Sequence, residues 1–119
     1  MKIPISEILD RYSIALLKNR RVSADNEEEI VALMRELSTY DASIINDYTE
    51  KLLSVNGKIW DLESDIRKGK EGELGLEEVG RRAIAIRDLN RIRVTYKNEL
   101  VSIFNEGYKD IKINHASAG

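Results

Sequence analysis

Apolar residues recur along the middle of the chain in steps of three and four, which is the spacing of one face of an α-helix. The longest such run has no gap and comprises Ile45, Tyr48, Leu52, Val55, Ile59, Leu62 and Ile66. It predicts a helix from near Asp41 to near Lys68, roughly 40 Å long and packed along a partner helix. Gly57 lies inside this helix, and we expect it to mark the close approach of a neighbouring helix.

A second long helix is predicted from about Leu76 to Asn105, after a glycine-rich loop at Gly69 to Gly75 that reverses the chain. Its apolar side comprises Val79, Ala83, Ile86, Leu89, Leu100 and Ile103. Two long helices joined by a short loop most simply form an antiparallel hairpin.

Two shorter helices are predicted before the hairpin. The first begins with Ser6 as its N-cap, and the second begins where Asp25 and Glu28 have the spacing of a capping box. The buried side of the second helix is predicted to comprise Ile30, Leu33, Met34 and Leu37.

The period of the pattern changes to two near both ends of the chain. Ile3 and Ile5 alternate with polar or proline positions, and so do Ile111 and Ile113. This alternation predicts short extended termini that pair as a two-stranded ribbon.

Composition narrows the class of protein. The chain has 119 residues, one His and no Cys, with 19 Lys and Arg against 21 Asp and Glu and a formal net charge of -2. A chain of this length forms one core without disulfides, so residues 1–119 are predicted as a single all-α domain. We expect an antiparallel helical bundle built on the long hairpin.

Composition and net charge also limit the partners and the cellular location that we expect. A nearly balanced charge argues against long nucleic acid, where many phosphates must be neutralised. No apolar run is long enough for an export signal or a membrane span, and the absence of Cys fits a reducing compartment. We therefore expect a cytoplasmic protein with no membrane partner.

The last long helix contains the most informative irregularity. Asn90, Arg93 and Lys97 continue its apolar stripe, and Arg87, Arg91, Tyr96 and Asn98 lie beside it. Guanidinium and amide groups recognise phosphate or carboxylate, and an aromatic ring stacks on a base. The stripe predicts a small-anion site in which Arg87, Asn90, Arg93 and Lys97 hold phosphate and Tyr96 stacks. The alternative is that these cations pair with Asp61, Glu63 or Asp65 of the neighbouring helix.

Two other positions are candidates for the same site. Trp60 is either a core or interface anchor or, next to Arg67, a stacking platform for a nucleobase and its phosphate. His115 is either an exposed tail residue or one of the polar contacts, with Lys112 and Asn114, of a tail folded over the ligand.

The sequence gives little evidence for a catalytic site. Glu7 and Asp10, and Asp47 and Glu50, have the spacing of the acidic pairs that hold magnesium in all-helical nucleotide pyrophosphohydrolases. No nucleophile triad, phosphate-binding loop or Rossmann pattern is present. We expect no catalytic residue, metal site or cofactor. The magnesium-dependent enzyme stays an alternative, as does a structural or adaptor protein.

Three stretches together resemble an uncharacterised family of small helical proteins of phages and bacteria: ISEILDRYSI at 5–14, VNGKIWDLESDIR at 55–67 and LNRIRVTYKNE at 89–99. More loosely, in size, helical character and polar stripe, the chain is similar to phage anti-CBASS sponges. Those oligomeric proteins bind a cyclic nucleotide immune signal without cleaving it. The likeness implies an immune-evasion protein of the host cytoplasm.

The apolar surface adds an expectation about assembly. The long seam, Trp60 and the isoleucines of the tail exceed what a monomer of this size covers, so we predict a homo-oligomer, a dimer or a tetramer. The leading hypothesis is a non-enzymatic oligomeric protein that sequesters a small phosphate-bearing ligand such as a cyclic dinucleotide.

Overall fold

The computed structural model describes residues 3–106, without the side chain of Glu71. This part of the chain is helical, with no strand, so the all-α class is confirmed. Its helices are α1 (Ile5–Val22), α2 (Glu27–Leu37), α3 (Ala42–Arg67), α4 (Glu71–Leu74) and α5 (Leu76–Phe104). None of them is both long and apolar enough to cross a membrane.

Helix α3 has the bounds that its sequence predicts. The Asp41 carboxylate caps it by accepting from the backbone N–H of Ser43 at 2.9 Å and of Ile44 at 3.3 Å. These bonds satisfy donors that a helix start otherwise leaves without partners. The seam from Ile45 to Ile59 is buried in the core, while its last members Leu62 and Ile66 are half-buried.

Helices α3 and α5 run antiparallel, and they are the most extensively packed pair in the described part of the chain. Tyr48 near the start of α3 meets Tyr96 near the end of α5, with ring centroids 6.3 Å apart. At the other end of the pair, Asp65 lies 3.5 Å from Arg82. The connecting segment contains the short helix α4 between Gly69 and Gly75, which both have positive φ.

Helix α1 packs against α2, α3 and α5 and so holds the molecule together. Gly57 of α3 is buried where α1 crosses, and a Cβ placed on it would lie 3.1 Å from Nη2 of Arg21. The prediction that Gly57 marks a close helix approach is confirmed. Arg21 also forms an ion pair with Asp61 and donates to the backbone carbonyl of Gly57 at 3.3 Å.

The start of α1 differs from its prediction. Pro4, not Ser6, is the N-cap, and Ser6 is buried inside the helix. Ile5 is the first helical residue and is fully buried, so the predicted extended segment is wrong at Ile5. Its backbone N–H donates to the Glu106 carboxylate at 3.3 Å, which fixes the helix start against the end of α5. Ile111 and Ile113 of the predicted ribbon lie outside the described residues.

Helix α2 also begins differently from its prediction. It starts at Glu27 with Asn26 as N-cap, in place of an Asp25 capping box, and no side chain caps it. The Asn26 amide instead donates to the carbonyl of Ala15 at 2.9 Å, which ties this corner to α1.

The predicted buried side of α2 is only partly correct. Leu37 is buried and Ile30 and Leu33 are half-buried, but Met34 is 51% exposed. The reason is that α2 packs mainly against α1 and has no extensive contact with a second helix among the described residues.

Candidate functional site

Two cations of the predicted α5 stripe meet carboxylates of α1. The guanidinium of Arg93 donates to both carboxylate oxygens of Asp10, with Nε 2.9 Å from Oδ1. Nζ of Lys97 lies 2.7 Å from Oε1 of Glu7. These two cations therefore form ion pairs with a neighbouring helix, as the alternative interpretation of the sequence expected. The helix is α1, however, and the prediction that the partners are acids of α3 is wrong. Asp61, Glu63 and Asp65 pair with other cations, namely Arg21, Arg67, Arg82 and Lys70.

The Arg93 contact belongs to a buried polar network that joins three helices. Asp10 is only 3% exposed. The Asn56 amide of α3 donates to its Oδ1 at 3.1 Å and to the hydroxyl of Ser13 at 2.8 Å. Ser13 in turn donates to the backbone carbonyl of Asp10 at 2.7 Å. Because this carboxylate is paired and hydrogen-bonded, its burial is tolerated, and the network fixes α1, α3 and α5 relative to one another.

The other members of the predicted stripe point in different directions. Arg87 is exposed, and both its Nε and its Nη2 lie 3.3 Å from Oδ1 of Asp88. Asn90 is half-buried. Tyr96 lies on the α3 side, where its ring is edge-to-face with that of Tyr48. The stripe therefore does not form one surface: part of it holds α1 and part of it faces α3.

Trp60 and Arg67 are together, as the sequence predicts, but away from the stripe. The guanidinium carbon of Arg67 lies 4.6 Å from the centroid of the Trp60 ring, and Nη1 lies 3.0 Å from Glu63. This end of α3 meets α5 at Arg82, about three turns or roughly 16 Å from Arg93 along α5. His115 lies outside the described residues.

A groove of about 320 Å³ separates α3 and α5 on the side that Tyr96 faces. It is lined by Glu50, Lys51, Ser54, Val55, Lys58, Leu89, Ile92 and Tyr96. Lys51 and Lys58 lie two turns apart on one face of α3, so their Cα atoms are about 10 Å apart along the axis. The α3 wall of the groove therefore carries two lysines and one glutamate, and the α5 wall carries an aromatic and two aliphatic side chains.

The charge state of this groove is set by its immediate neighbours. Nζ of Lys51 lies 3.2 Å from Oδ2 of Asp47, and this hydrogen bond raises the pKa of Lys51, which therefore stays charged at neutral pH. The same ammonium lies 4.4 Å from the Tyr48 ring and 5.8 Å from the Tyr96 ring, a cation–π arrangement. Lys58 is exposed and forms no ion pair with any residue of 3–106.

These groups suit an anion that carries a flat or apolar part. Lysine ammonium groups bind phosphate as point charges, and the Ser54 hydroxyl is available to donate to a phosphate oxygen. Leu89, Ile92 and Tyr96 present an apolar wall against which a base could stack. The Glu50 carboxylate also lines the groove and favours ligands with a donor group beside it.

Sequence reasoning missed Lys51 and Lys58. Both flank the buried seam residue Val55, at the i, i+4 and i+7 spacing that puts all three on one side of α3. The pattern was available in the sequence. It became informative only once the structure showed that this side of α3 borders a groove.

The acidic pairs proposed for magnesium do not converge. Glu7 and Asp10 lie against Lys97 and Arg93, and Asp47 lies against Lys51. Within residues 3–106 no group of three or more His, Asp and Glu residues is arranged to hold a metal ion.

Comparison with protein-family models, with curated proteins and with solved structures gave no match to this chain. The function proposed below therefore rests on the geometry of the groove between α3 and α5.

Proposed function

We propose that this protein is a non-enzymatic binding protein that sequesters a small phosphate-bearing ligand in the groove between α3 and α5. Its scaffold is a small helical bundle built on the α3–α5 hairpin. One observation carries the proposal: Lys51 and Lys58 line one wall of the groove, and Tyr96 lines the other. In this arrangement the lysines hold phosphate while the opposite wall takes the apolar part of the ligand.

The size of the groove limits the ligand. Ligand pockets span roughly 300 to 1,000 Å³, and the groove of about 320 Å³ lies at the lower end of that range. It therefore fits a single nucleotide unit better than a larger molecule. A cyclic dinucleotide, the ligand class that the likeness to phage sponges favours, places one of its two nucleotides in each groove. A homo-oligomer, a dimer or a tetramer, then binds the ligand between copies in the cytoplasm of a host cell.

The stripe residues take supporting roles in this proposal. Arg93 and Lys97 hold α1 against α5 through Asp10 and Glu7, which keeps α5 in position beside α3. Neither of these cations lines the groove between α3 and α5. Lys51, Lys58 and Tyr96 are therefore the residues whose substitution changes affinity most directly.

Isothermal titration calorimetry tests this proposal with a panel of pyrophosphate, nucleoside monophosphates and cyclic dinucleotides. We expect at least one member to bind the wild type. The Lys51→Gln/Lys58→Gln variant should bind it about tenfold or more weakly, since each ammonium–phosphate contact contributes on the order of 1 kcal/mol.

A matched control separates the groove from net charge. The variant Lys18→Gln/Lys68→Gln removes the same charge from two exposed lysines that do not line the groove. It should bind like the wild type. Failure of the whole panel to bind, or equal weakening in both double variants, would contradict the proposal.

The same samples separate a binding protein from an enzyme. The ligand should be recovered unchanged after incubation with the protein and magnesium, as measured by chromatography. Release of phosphate that depends on magnesium and is lost in Glu50→Gln would instead favour the hydrolase alternative.

A further inference from the structure

Helix α2 presents a row of exposed side chains on its outer face. Glu28, Val31, Ala32 and Arg35 follow one another at the i, i+3, i+4 and i+7 spacing of a single helix face. All four are exposed, and Val31 has 45% of its surface accessible. Ile30, Leu33 and Leu37 lie on the opposite side, toward α1.

The charges of this face are placed symmetrically. Glu28 and Arg35 lie two turns apart, about 10 Å along the axis, at equal distances from the point between Val31 and Ala32. Neither of them forms an ion pair with a residue in the described range 3–106. The row therefore offers one charge of each sign with a small apolar centre between them, and it is flanked by the exposed acids Glu27, Glu29 and Glu36 of the same helix.

We propose that this outer face of α2 is a self-docking surface, on which a second copy of the chain packs its own α2 antiparallel. The two-fold axis passes between Val31 and Ala32. That axis places Glu28 of each copy against Arg35 of the other, and Val31 of each copy against Ala32 of the other. The contact is isologous, so each pairing occurs twice.

Charge complementarity selects this orientation over the parallel one. In a parallel pair at the same register, Glu28 meets Glu28 and Arg35 meets Arg35, and like charges across an interface repel. In the antiparallel pair both contacts are attractive. Val31 and Ala32 are small, so the two helices come close at the centre.

A neighbouring apolar groove enlarges the contact beyond one helix. Met34, which is 51% exposed, lines a groove of about 370 Å³ together with Tyr12, Leu37, Tyr40 and Ile45. This apolar surface adjoins the Glu28–Arg35 row through Val31 and Met34. Because α2 is short, the buried area is modest and we expect roughly micromolar dimerisation.

The outer face of α2 contributes no residue to the ligand groove, so its self-association does not depend on the proposed function. Sedimentation equilibrium from low micromolar to several hundred micromolar protein measures the monomer–dimer constant of the full chain. The wild type should dimerise. Glu28→Arg and Arg35→Glu should each weaken dimerisation by about tenfold or more, because each variant creates two like-charge contacts.

Charge exchange makes the test specific for the antiparallel pairing. An equimolar mixture of Glu28→Arg and Arg35→Glu should form a heterodimer, in which both cross-helix contacts are again attractive. The double variant Glu28→Arg/Arg35→Glu should also recover self-association. Both positions are exposed but lie in the first and last turns of α2, where charge reversal opposes the helix dipole, so circular dichroism of every variant is needed to separate a loss of helix from a loss of the interface.

Three outcomes would overturn the proposal. These are a wild type that stays monomeric over the whole concentration range, single variants that dimerise as tightly as the wild type, and a mixture that shows no heterodimer. The last outcome, with a dimeric wild type, would place the interface elsewhere on the molecule.

Discussion

Asp10 illustrates how this small core accommodates a charge. Its carboxylate is almost fully buried, and it accepts hydrogen bonds from the guanidinium of Arg93 and the amide of Asn56. A buried charge loses its hydration, so it is stable only when a counter-charge and further hydrogen bonds replace that hydration. Asp10 therefore makes the fold sensitive to the removal of its partners.

Arg93→Met should lower the free energy of unfolding by about 3 kcal/mol, because it leaves the Asp10 carboxylate buried without its counter-charge. Urea denaturation followed by circular dichroism measures the loss. The double variant Arg93→Met/Asp10→Leu should recover part of it, since the uncompensated charge is gone.

Arg87→Met is the matched control, because Arg87 is exposed. This substitution should change the free energy of unfolding by no more than about 0.5 kcal/mol. If Arg93→Met cost no more than this control, the buried pair would not support the fold.

Asp41 gives a prediction about pH. Hydrogen bonds from the Ser43 hydroxyl and from the backbone N–H groups of Ile44 and Ser43 lower the pKa of Asp41. A lowered pKa in the folded state stabilises the protein above the ordinary pKa of the carboxyl, and this stabilisation is lost as pH falls through the lowered value.

The wild type should therefore melt at a higher temperature than Asp41→Asn at neutral pH, and the difference should vanish on acidification. Asn retains an oxygen that accepts from the same donors but lacks the charge. Thermal melts of both proteins at several pH values measure the gap, and a gap independent of pH would contradict this account.

At the scale of the helix, the local pattern predicts some elements and not others. The bounds of α3 were predictable because a capping aspartate and an unbroken apolar seam are both local features of the sequence. The exposed face of α2 could not be predicted in this way, because the burial of Met34 depends on which helices pack beside it. Ile5 shows the same limit, since alternation over three residues does not distinguish a strand from a helix start that inserts into the core.

Gly57 and Gly80 form a natural pair for testing helix contact. Both lie inside helices, but a Cβ on Gly80 would have open space while one on Gly57 would lie 3.1 Å from Nη2 of Arg21. Gly80→Ala should raise the free energy of unfolding by about 1 kcal/mol, the difference in helix propensity. Gly57→Ala should raise the free energy of unfolding by less, because the end of the Arg21 side chain must shift. Chemical denaturation measures both, and an equal or larger gain at Gly57 would show that α1 does not constrain this position.

At the scale of the whole molecule, the candidate site was only partly visible in the sequence. Tyr96 was predicted as a ligand residue and does line the α3–α5 groove, whereas Lys51 and Lys58 were missed. The cations that the sequence favoured, Arg93 and Lys97, lie against acids of α1 from the distant start of the chain. Such pairs cannot be derived from spacing along one helix, because they depend on how three helices pack together.

The net charge of the chain differs in its implications from the local charges of the groove. A formal net charge of -2 does not reveal a groove whose lining includes two lysines, Glu50 and the ring of Tyr96. Long-range attraction of a polyanion is weak for such a chain, but a small anion in contact with both lysines experiences mainly their local field. We therefore expect selectivity for small phosphate-bearing molecules over long nucleic acid.

The most direct test of the central claim is a two-dimensional ¹H–¹⁵N NMR titration of the wild-type protein with the tightest-binding member of the phosphate panel. We expect the largest chemical-shift changes at Lys51, Ser54 and Lys58 of α3 and at Leu89, Ile92 and Tyr96 of α5. The chemical shifts of residues around Asp10 and Arg93 should change little. Shift changes centred on Arg93 and Lys97, or no change on saturation with the panel, would contradict the account.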